Sequence, residues 1–270
     1  LNILDNLNPP QKEAVMHGQG PLLILAGAGS GKTRVLTHRV AYLIAVRKVP
    51  PSRILAVTFT NKAAGEMRTR VIKMLGRAAA DLWLGTFHSI CVRILRRQGQ
   101  KLGYAPNFVI YDMDDQMSVV RKAMAELEVP EKRFPPRGIH ARISDAKNRL
   151  IGPEDFGGMV GDFFEEQVAK VYPIYQRKLE ECNALDFDDL LWKTTVLFEK
   201  FPEIKEDYGD RFLHVLVDEY QDTNHAQYVL VKQMAEKHRN LCVVGDDDQS
   251  IYGWRGADIH NILDFEKDFP

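Results

Sequence analysis

Leu22-Leu23-Ile24-Leu25-Ala26-Gly27-Ala28-Gly29-Ser30-Gly31-Lys32-Thr33 is an apolar run that breaks into a glycine-rich turn and closes on Gly-Lys-Thr. Glycines at 27, 29 and 31 let the backbone curl with its N–H groups pointing inward. Lys32 can then reach outer phosphates, and the Thr33 hydroxyl suits a Mg²⁺ ion. The residues from Thr33 to Val40 keep helical apolar spacing, so the turn joins a strand to a helix whose N-terminus adds partial positive charge. The segment predicts a phosphate-binding loop built from Ala28, Gly29, Ser30, Gly31, Lys32 and Thr33. Ala26 stands where such loops usually carry their first glycine, and on this segment alone a glycine-rich turn without a ligand remains the alternative.

Composition sets the frame. The chain has 270 residues, 45% hydrophobic and 27% charged, enough for one large core or two smaller ones. No apolar run approaches the ~20 residues that span a bilayer, and no charged-then-apolar leader opens the chain. The expectation is a soluble, cytoplasmic protein with no membrane partner. Cys91, Cys182 and Cys242 lie far apart with no paired spacing, which suggests neither a zinc site nor a disulfide framework. A net charge of −1 argues against a uniformly basic surface and leaves room for a local basic groove.

Five short apolar runs, Leu22–Ala26, Ile54–Thr58, Leu82–Thr86, Leu213–Val217 and Leu241–Val244, each end in a small or polar cluster. Buried parallel strands read as near-continuous apolar runs, and open α/β sheets bind ligands outside the carboxyl ends of their strands. The clusters are therefore expected along one edge of a parallel sheet. Helical patterns at Lys62–Leu75 and Ser89–Leu102 supply crossovers. Between about Phe108 and Pro202 helical periodicity dominates, with helices expected at Asp114–Leu127, Pro136–Arg149, Asp162–Cys182 and Asp186–Lys200. The expected organisation is an α/β domain of residues 1–107 and 203–270 interrupted by an inserted all-helical domain of residues 108–202.

Two more clusters carry chemistry. Asp218-Glu219-Tyr220-Gln221-Asp222 follows an apolar run. Paired acids there suit a magnesium triphosphate site, with Asp218 holding the ion and Glu219 polarising the attacking water. Alone, the pair would read as solvated loop acids; beside a phosphate loop the catalytic reading is favoured. The last run leads into Gly245-Asp246-Asp247-Asp248-Gln249-Ser250-Ile251-Tyr252-Gly253-Trp254-Arg255. Gln249 can orient a water or contact a terminal phosphate. Tyr252, Trp254 and Arg255 form an aromatic-basic patch suited to base stacking and phosphate contact, or, for the two rings, to a core.

Together with Asn8-Pro9-Pro10-Gln11, Thr58-Phe59-Thr60-Asn61-Lys62-Ala63-Ala64, Gly85-Thr86-Phe87-His88-Ser89 and Leu185-Asp186-Phe187-Asp188-Asp189-Leu190, these motifs run the length of the chain. In combination they resemble the N-terminal half of superfamily-one DNA helicases of the UvrD/PcrA/Rep family. The resemblance implies a RecA-like P-loop fold with a helical insertion, ATP and Mg²⁺ as cofactors, and 3′–5′ ATP-dependent translocation and unwinding. It implies that Gln11 recognises adenine, that Arg34 lies beside the nucleotide, that Lys32 and Thr33 serve phosphate and Mg²⁺, that Asp218 holds the ion, that Glu219 acts as base and that Gln249 senses the terminal phosphate. Phe59, Tyr252 and Trp254 would stack on bases of a single strand, with Thr86, His88 and Arg255 contacting it nearby. Phe59 packing in a core and His88 capping the next helix are the structural alternatives. Gly253 departs from the family pattern, which often has arginine there.

The resemblance further implies a second RecA-like domain carrying arginine fingers, with single-stranded DNA, single/double-strand junctions and repair or replication proteins as partners. Leu1 is no initiator methionine, and after Arg255 the only Lys or Arg is Lys267. A truncated piece of a longer helicase is therefore expected, nearly inactive by itself. The competing readings are a nucleotide- or strand-binding module without turnover, and the motor part of a helicase-nuclease.

Overall fold

The computed structural model describes residues 3–27, 29–246, 265 and 267–269. It divides into two compact units, residues 1–90 with 201–270 and residues 91–200.

The elements of the first unit are α1 (Pro9–Met16), β1 (Leu22–Leu25), α2 (Lys32–Ala45), β2 (Ile54–Thr58), α3 (Asn61–Leu75), β3 (Trp83–Thr86) and the start of α4 (Phe87–Gln98). The second unit holds β4 (Val109–Ile110), α5 (Met113–Glu126), α6 (Pro136–Asn148), α7 (Pro153–Phe156), α8 (Phe163–Glu181), β5 (Ala184–Leu185) and α9 (Phe187–Lys200). The chain then returns to the first unit with α10 (Pro202–Arg211), β6 (His214–Val217), α11 (His225–Ala235) and β7 (Leu241–Gly245).

All five apolar runs become strands of one parallel sheet, ordered β1-β7-β6-β2-β3. Both faces of its inner strands are covered, which is why those strands lack polar alternation. On one face Leu36, Val40 and Leu43 of α2 and Met67 and Val71 of α3 pack on Ile54, Ala56, Leu216, Cys242 and Val244. On the other, the Trp83 ring meets Tyr208 of α10 and Phe212 just beyond it edge-on, at centroid distances of 6.1 and 5.2 Å. Because β1 pairs with β7 in the register Leu25 to Gly245, and β7 with β6, the turns after all three strands open side by side.

The second unit is helical save for the parallel pair β4–β5, which joins Val109 to Ala184 and Ile110 to Leu185. Its core includes Val120, Met124, Ile139, Ile143, Val168, Val171, Tyr172 and Tyr175. Its limits fall at 90/91 and 200/201, against expected boundaries at 107/108 and 202/203. The acidic motif Leu185–Leu190 serves this core. Lys147 Nζ lies 2.6 Å from Asp186 and 2.8 Å from Asp189, and the Tyr175 hydroxyl donates to Asp186 at 2.8 Å. The two carboxylates also exchange backbone bonds at the start of α9, with Asp189 N–H donating to Asp186 and Asp186 N–H to Asp189. The buried charges therefore tie α6, α8 and α9 together.

Candidate functional site

The glycine-rich turn that was expected to hold phosphate begins where β1 stops. Gly29 and Gly31 have φ of 75° and 89°, the left-handed region that side chains with a Cβ rarely occupy. Gly31 is doubly constrained, since a Cβ there would lie 3.1 Å from Gln11 Nε2. Lys32 opens α2 and is only 8% exposed; its Nζ donates to the Ala26 carbonyl at 2.8 Å and to Asp246 Oδ2 at 2.7 Å. Asp246, fully buried just past β7, was not singled out by the sequence reading, because a buried ion pair across 214 positions leaves no local pattern.

Thr33 Oγ1 donates to Asp218 Oδ2 at 2.8 Å, so the loop hydroxyl and the acid after β6 meet although 185 positions separate them. Asp218 is 2% exposed. Burial pushes its carboxyl above the ordinary range, against the opposing pull of the Thr33 hydroxyl and the Lys32 ammonium. The next residue, Glu219, sits at φ 50°, ψ 46°, a left-handed conformation that costs a non-glycine residue about 1–3 kcal/mol and is found at functional turns. Its amide N–H donates to Asp218 Oδ1 at 3.1 Å, and Gln221 Nε2 donates to its carboxylate at 2.7 Å. Gln221 also accepts from the Asp246 N–H at 3.2 Å, bridging the two acidic turns. Its position two residues after Glu219 was the only sequence signal for that role.

Gly29, Gly31, Lys32, Thr33, Arg34, Arg70 and Glu219 line a cleft of about 380 Å³. Arg34, expected beside a nucleotide, is among its lining residues; Arg70 of α3 was not anticipated, because nothing in a helical stretch marks which arginine faces a loop. A second cavity of about 660 Å³ shares Arg34 and Arg70 and is further lined by Ile3, Asp5, Thr37, His38 and Lys73 among others. Gln11 closes the loop from α1: its Nε2 donates to Ser30 O at 2.9 Å, while its Oε1 accepts from the Asn8 N–H at 3.0 Å.

The expected strand-contacting residues that are described gather past β2 and β3, where Thr58 pairs with Thr86. Phe59 is half-buried, with its ring edge-on to Phe87 at 5.4 Å. Thr86, rather than His88, caps α4: its hydroxyl accepts from Ser89 N–H at 3.2 Å. Ser89 Oγ folds back onto the Thr86 carbonyl at 2.9 Å, and a Cβ on Gly85 would meet the Ser89 hydroxyl, so a larger residue there would have to displace that hydroxyl from its bond. Burial lowers the half-buried His88 imidazole to about 4, which keeps it neutral at pH 7. Ala28, Gln249, Tyr252, Trp254 and Arg255 lie outside the described residues. Among the described residues no helix is long and apolar enough to cross a membrane.

Residues 7–270 match the model of the UvrD/REP helicase N-terminal domain. The chain is 56% identical over 268 residues to the ATP-dependent DNA helicase PcrA of Bacillus subtilis, covering 99% of this chain and 36% of that protein. It is 55% and 54% identical to the PcrA helicases of Staphylococcus epidermidis and Staphylococcus aureus, again over 99% of this chain and 37% of each relative. It thus spans little more than a third of the relatives it matches. A parallel sheet with the Gly-Lys-Thr turn after β1 and Asp-Glu after β6 accords with that match, and the chain belongs to the UvrD/REP helicase N-terminal domain family.

Proposed function

We propose that this chain is the nucleotide-binding and strand-gripping part of an ATP-dependent DNA helicase, which couples ATP hydrolysis to 3′–5′ movement along single-stranded DNA and to unwinding at single/double-strand junctions in the bacterial cytoplasm. The observation that carries the reading is the 2.8 Å contact between Thr33 and Asp218, which brings the loop hydroxyl and the strand-end acid together with Lys32 and Glu219 close by. The relatives named ATP-dependent DNA helicase support it.

The residues fit a magnesium nucleotide. Thr33 and Asp218 are a hydroxyl and a buried carboxylate raised by desolvation, a donor set that gains from a cation. Mg²⁺ is commonly held by one or two protein oxygens plus substrate phosphates, and when bound it neutralises phosphate charge. Lys32 exchanges the Ala26 carbonyl and Asp246 for phosphate oxygens, while the loop N–H groups and the α2 N-terminus supply further positive potential. Glu219, oriented by Gln221, accepts a proton from the attacking water, which adds to the terminal phosphorus as the bridging oxygen leaves with ADP. Phe59, Thr86, His88, Tyr252, Trp254 and Arg255 grip the strand by stacking and phosphate contact. The second RecA-like domain and the repair or replication partners follow from the family resemblance.

Lys32→Ala and Glu219→Gln test the site. By equilibrium titration Lys32→Ala is expected to weaken Mg-ATP binding by about tenfold or more, as for loss of a charge-assisted bond. Glu219→Gln is expected to bind Mg-ATP and fail to hydrolyse it. Unchanged affinity in a folded Lys32→Ala protein would remove the assignment.

A further inference from the structure

α1 carries Gln11 and rests on α2 through a small apolar cluster of Val15 with Leu7 and Val35. It spans Pro9–Met16, eight residues, of which only Val15 is fully buried. Helices this short are unstable alone, and the last turn leaves carbonyls without intrahelical partners. Those carbonyls find one donor group. Arg39 Nη1, from α2, donates to the carbonyls of Ala14 at 3.0 Å, Val15 at 3.3 Å and His17 at 2.9 Å. Arg39 is 2% exposed, its Nε has no hydrogen-bond partner, and among the described residues no carboxylate pairs with it. Burying a guanidinium with only carbonyls around it is costly. The end of a helix, where carbonyl dipoles concentrate negative potential, offsets that cost and is where such a cation belongs.

The two ends of α1 are therefore tied to the turn and to the helix that follows it. The front is tied through Gln11 Nε2 to Ser30 O, and the back through Arg39, which follows Lys32 on the same helix. A primary amide carries two N–H donors and an oxygen with two lone pairs. Ser30 O takes one donor and the Asn8 N–H one lone pair, which leaves one of each. That pair matches the N7 acceptor and N6 donor of adenine and not the two acceptors, N7 and O6, of guanine. Reading them requires the amide to sit at a fixed distance from the site where the phosphates are held.

Resting on the proposal that the loop binds ATP, we propose that Arg39 is the positioning residue for base selection, locking α1 to α2 so that Gln11 meets adenine while the phosphates lie on Lys32. Arg39 itself touches no ligand. Its loss should leave phosphate binding alone and erode discrimination between bases.

The test is competition binding of ATP, GTP and inorganic tripolyphosphate, each with Mg²⁺, to wild type, Arg39→Met and Arg39→Lys. Arg39→Met is expected to bind tripolyphosphate as wild type does while its preference for ATP over GTP falls by about fivefold or more, a wrong-base penalty of the usual size. Arg39→Lys, which keeps the charge and can still reach carbonyls, should restore part of that preference. A folded Arg39→Met protein with the full ATP preference overturns the inference. If wild type binds no tripolyphosphate, the phosphate-loop reading itself fails. If wild type binds it and ignores the base, Gln11 selects nothing and the role of Arg39 falls with it. Should Arg39→Met not fold, amide hydrogen exchange on wild type and Arg39→Lys decides. Protection across Lys12–Met16 comparable to α2 in wild type, and lowered in Arg39→Lys, supports the lock, whereas freely exchanging α1 amides in wild type overturn it.

Discussion

Replacing Lys147 by methionine should cost the helical unit about 3–5 kcal/mol at pH 7, since removing one partner of a buried ion pair strands a charge in low dielectric. The structure places the value toward the upper end. Lys147 and Asp189 are fully buried and Asp186 is 2% exposed, so two carboxylates share this one ammonium at 2.6 and 2.8 Å. Such a loss corresponds to a fall of roughly a hundredfold to a few thousandfold in the folded-to-unfolded ratio. The penalty is expected to depend on pH. Burial, and then the neighbouring Asp186 charge, push Asp189 up to about 6, so its ionisation opposes folding as pH rises through that value. Asp186 is pulled below the ordinary range by Lys147 in spite of its burial, a hold that methionine abolishes. The variant should then lose most stability at pH 7 and recover part of it near pH 5, as the two carboxylates come to share a proton. Hydrogen exchange of α6, α8 and α9 amides at both pH values, with urea unfolding, measures this locally. Lys147→Met combined with Asp189→Asn should be more stable at pH 7 than Lys147→Met alone. Wild-type protection in Lys147→Met at pH 7, or an equal loss at both pH values, would refute the reasoning.

Asp218 yields a prediction of the opposite kind. Because burial raises its pKa, its charged form disfavours the fold as pH rises, so Asp218→Asn should melt no lower than wild type at pH 7 without nucleotide, yet lose the Mg-ATP-induced rise in Tm. Wild-type Mg-ATP affinity should itself fall with acidification beginning above the ordinary aspartate range, which titrations at stepped pH would show. On the DNA side, Trp254→Ala should weaken single-stranded DNA binding by ~1–3 kcal/mol without lowering Tm, while Arg255→Ala should flatten the salt dependence by about 0.7 in log–log slope. Anisotropy titrations across salt separate the two, and a large drop in Tm for Trp254→Ala would return that ring to the core. If arginine fingers come from the second RecA-like domain of the proposed function, where such fingers are worth ~10³–10⁵ in rate, residues 1–270 by themselves are expected to release phosphate slowly and with little DNA stimulation. Robust DNA-stimulated turnover by residues 1–270 alone, abolished by Glu219→Gln, would contradict this.

The sheet was legible because its signal is local. Each buried strand is an unbroken apolar run, and each polar cluster lies next to its run, so five strands and the loops after β1 and β6 could be placed without knowing which strands pair. Short amphipathic elements were less so. α1 buries one residue fully, and α10, Pro-Glu-Ile-Lys-Glu-Asp-Tyr-Gly-Asp-Arg, offers only Ile204 and Tyr208 as large apolar side chains, too few for periodicity to register. Ser89–Leu102 read as one helix and proves to be α4 to Gln98 followed by a 3₁₀ turn from Gly99. The partners that finish the site were not legible at all. Asp246 looked like the first of three loop aspartates, and only the register of β1 on β7 turns it toward Lys32. Leu185–Leu190 carried a family resemblance without a role until Lys147, almost 40 positions earlier, was seen to fill it.

The polar pairs at the site bear on how nucleotide and strand would be coupled in the proposed function. Lys32 holds Asp246, Thr33 holds Asp218, and Gln221 touches both Glu219 and Asp246. The two side-chain donors of the turn, Lys32 and Thr33, are thus each bonded to a carboxylate, and the larger exchange falls on Asp246, which gives up an ammonium 2.7 Å away inside the core. A buried carboxylate cannot lose that contact without its surroundings responding. Two routes are short: through Gln221 to the proposed base Glu219, and along the backbone to Gln249, three residues on, and Tyr252, six residues on. If that segment grips the strand as proposed, nucleotide and DNA draw on the same carboxylate, and by linkage each changes the other's affinity by the same factor. The coupling is then carried by an exchange of partners at one buried charge, with no rigid path across the molecule required.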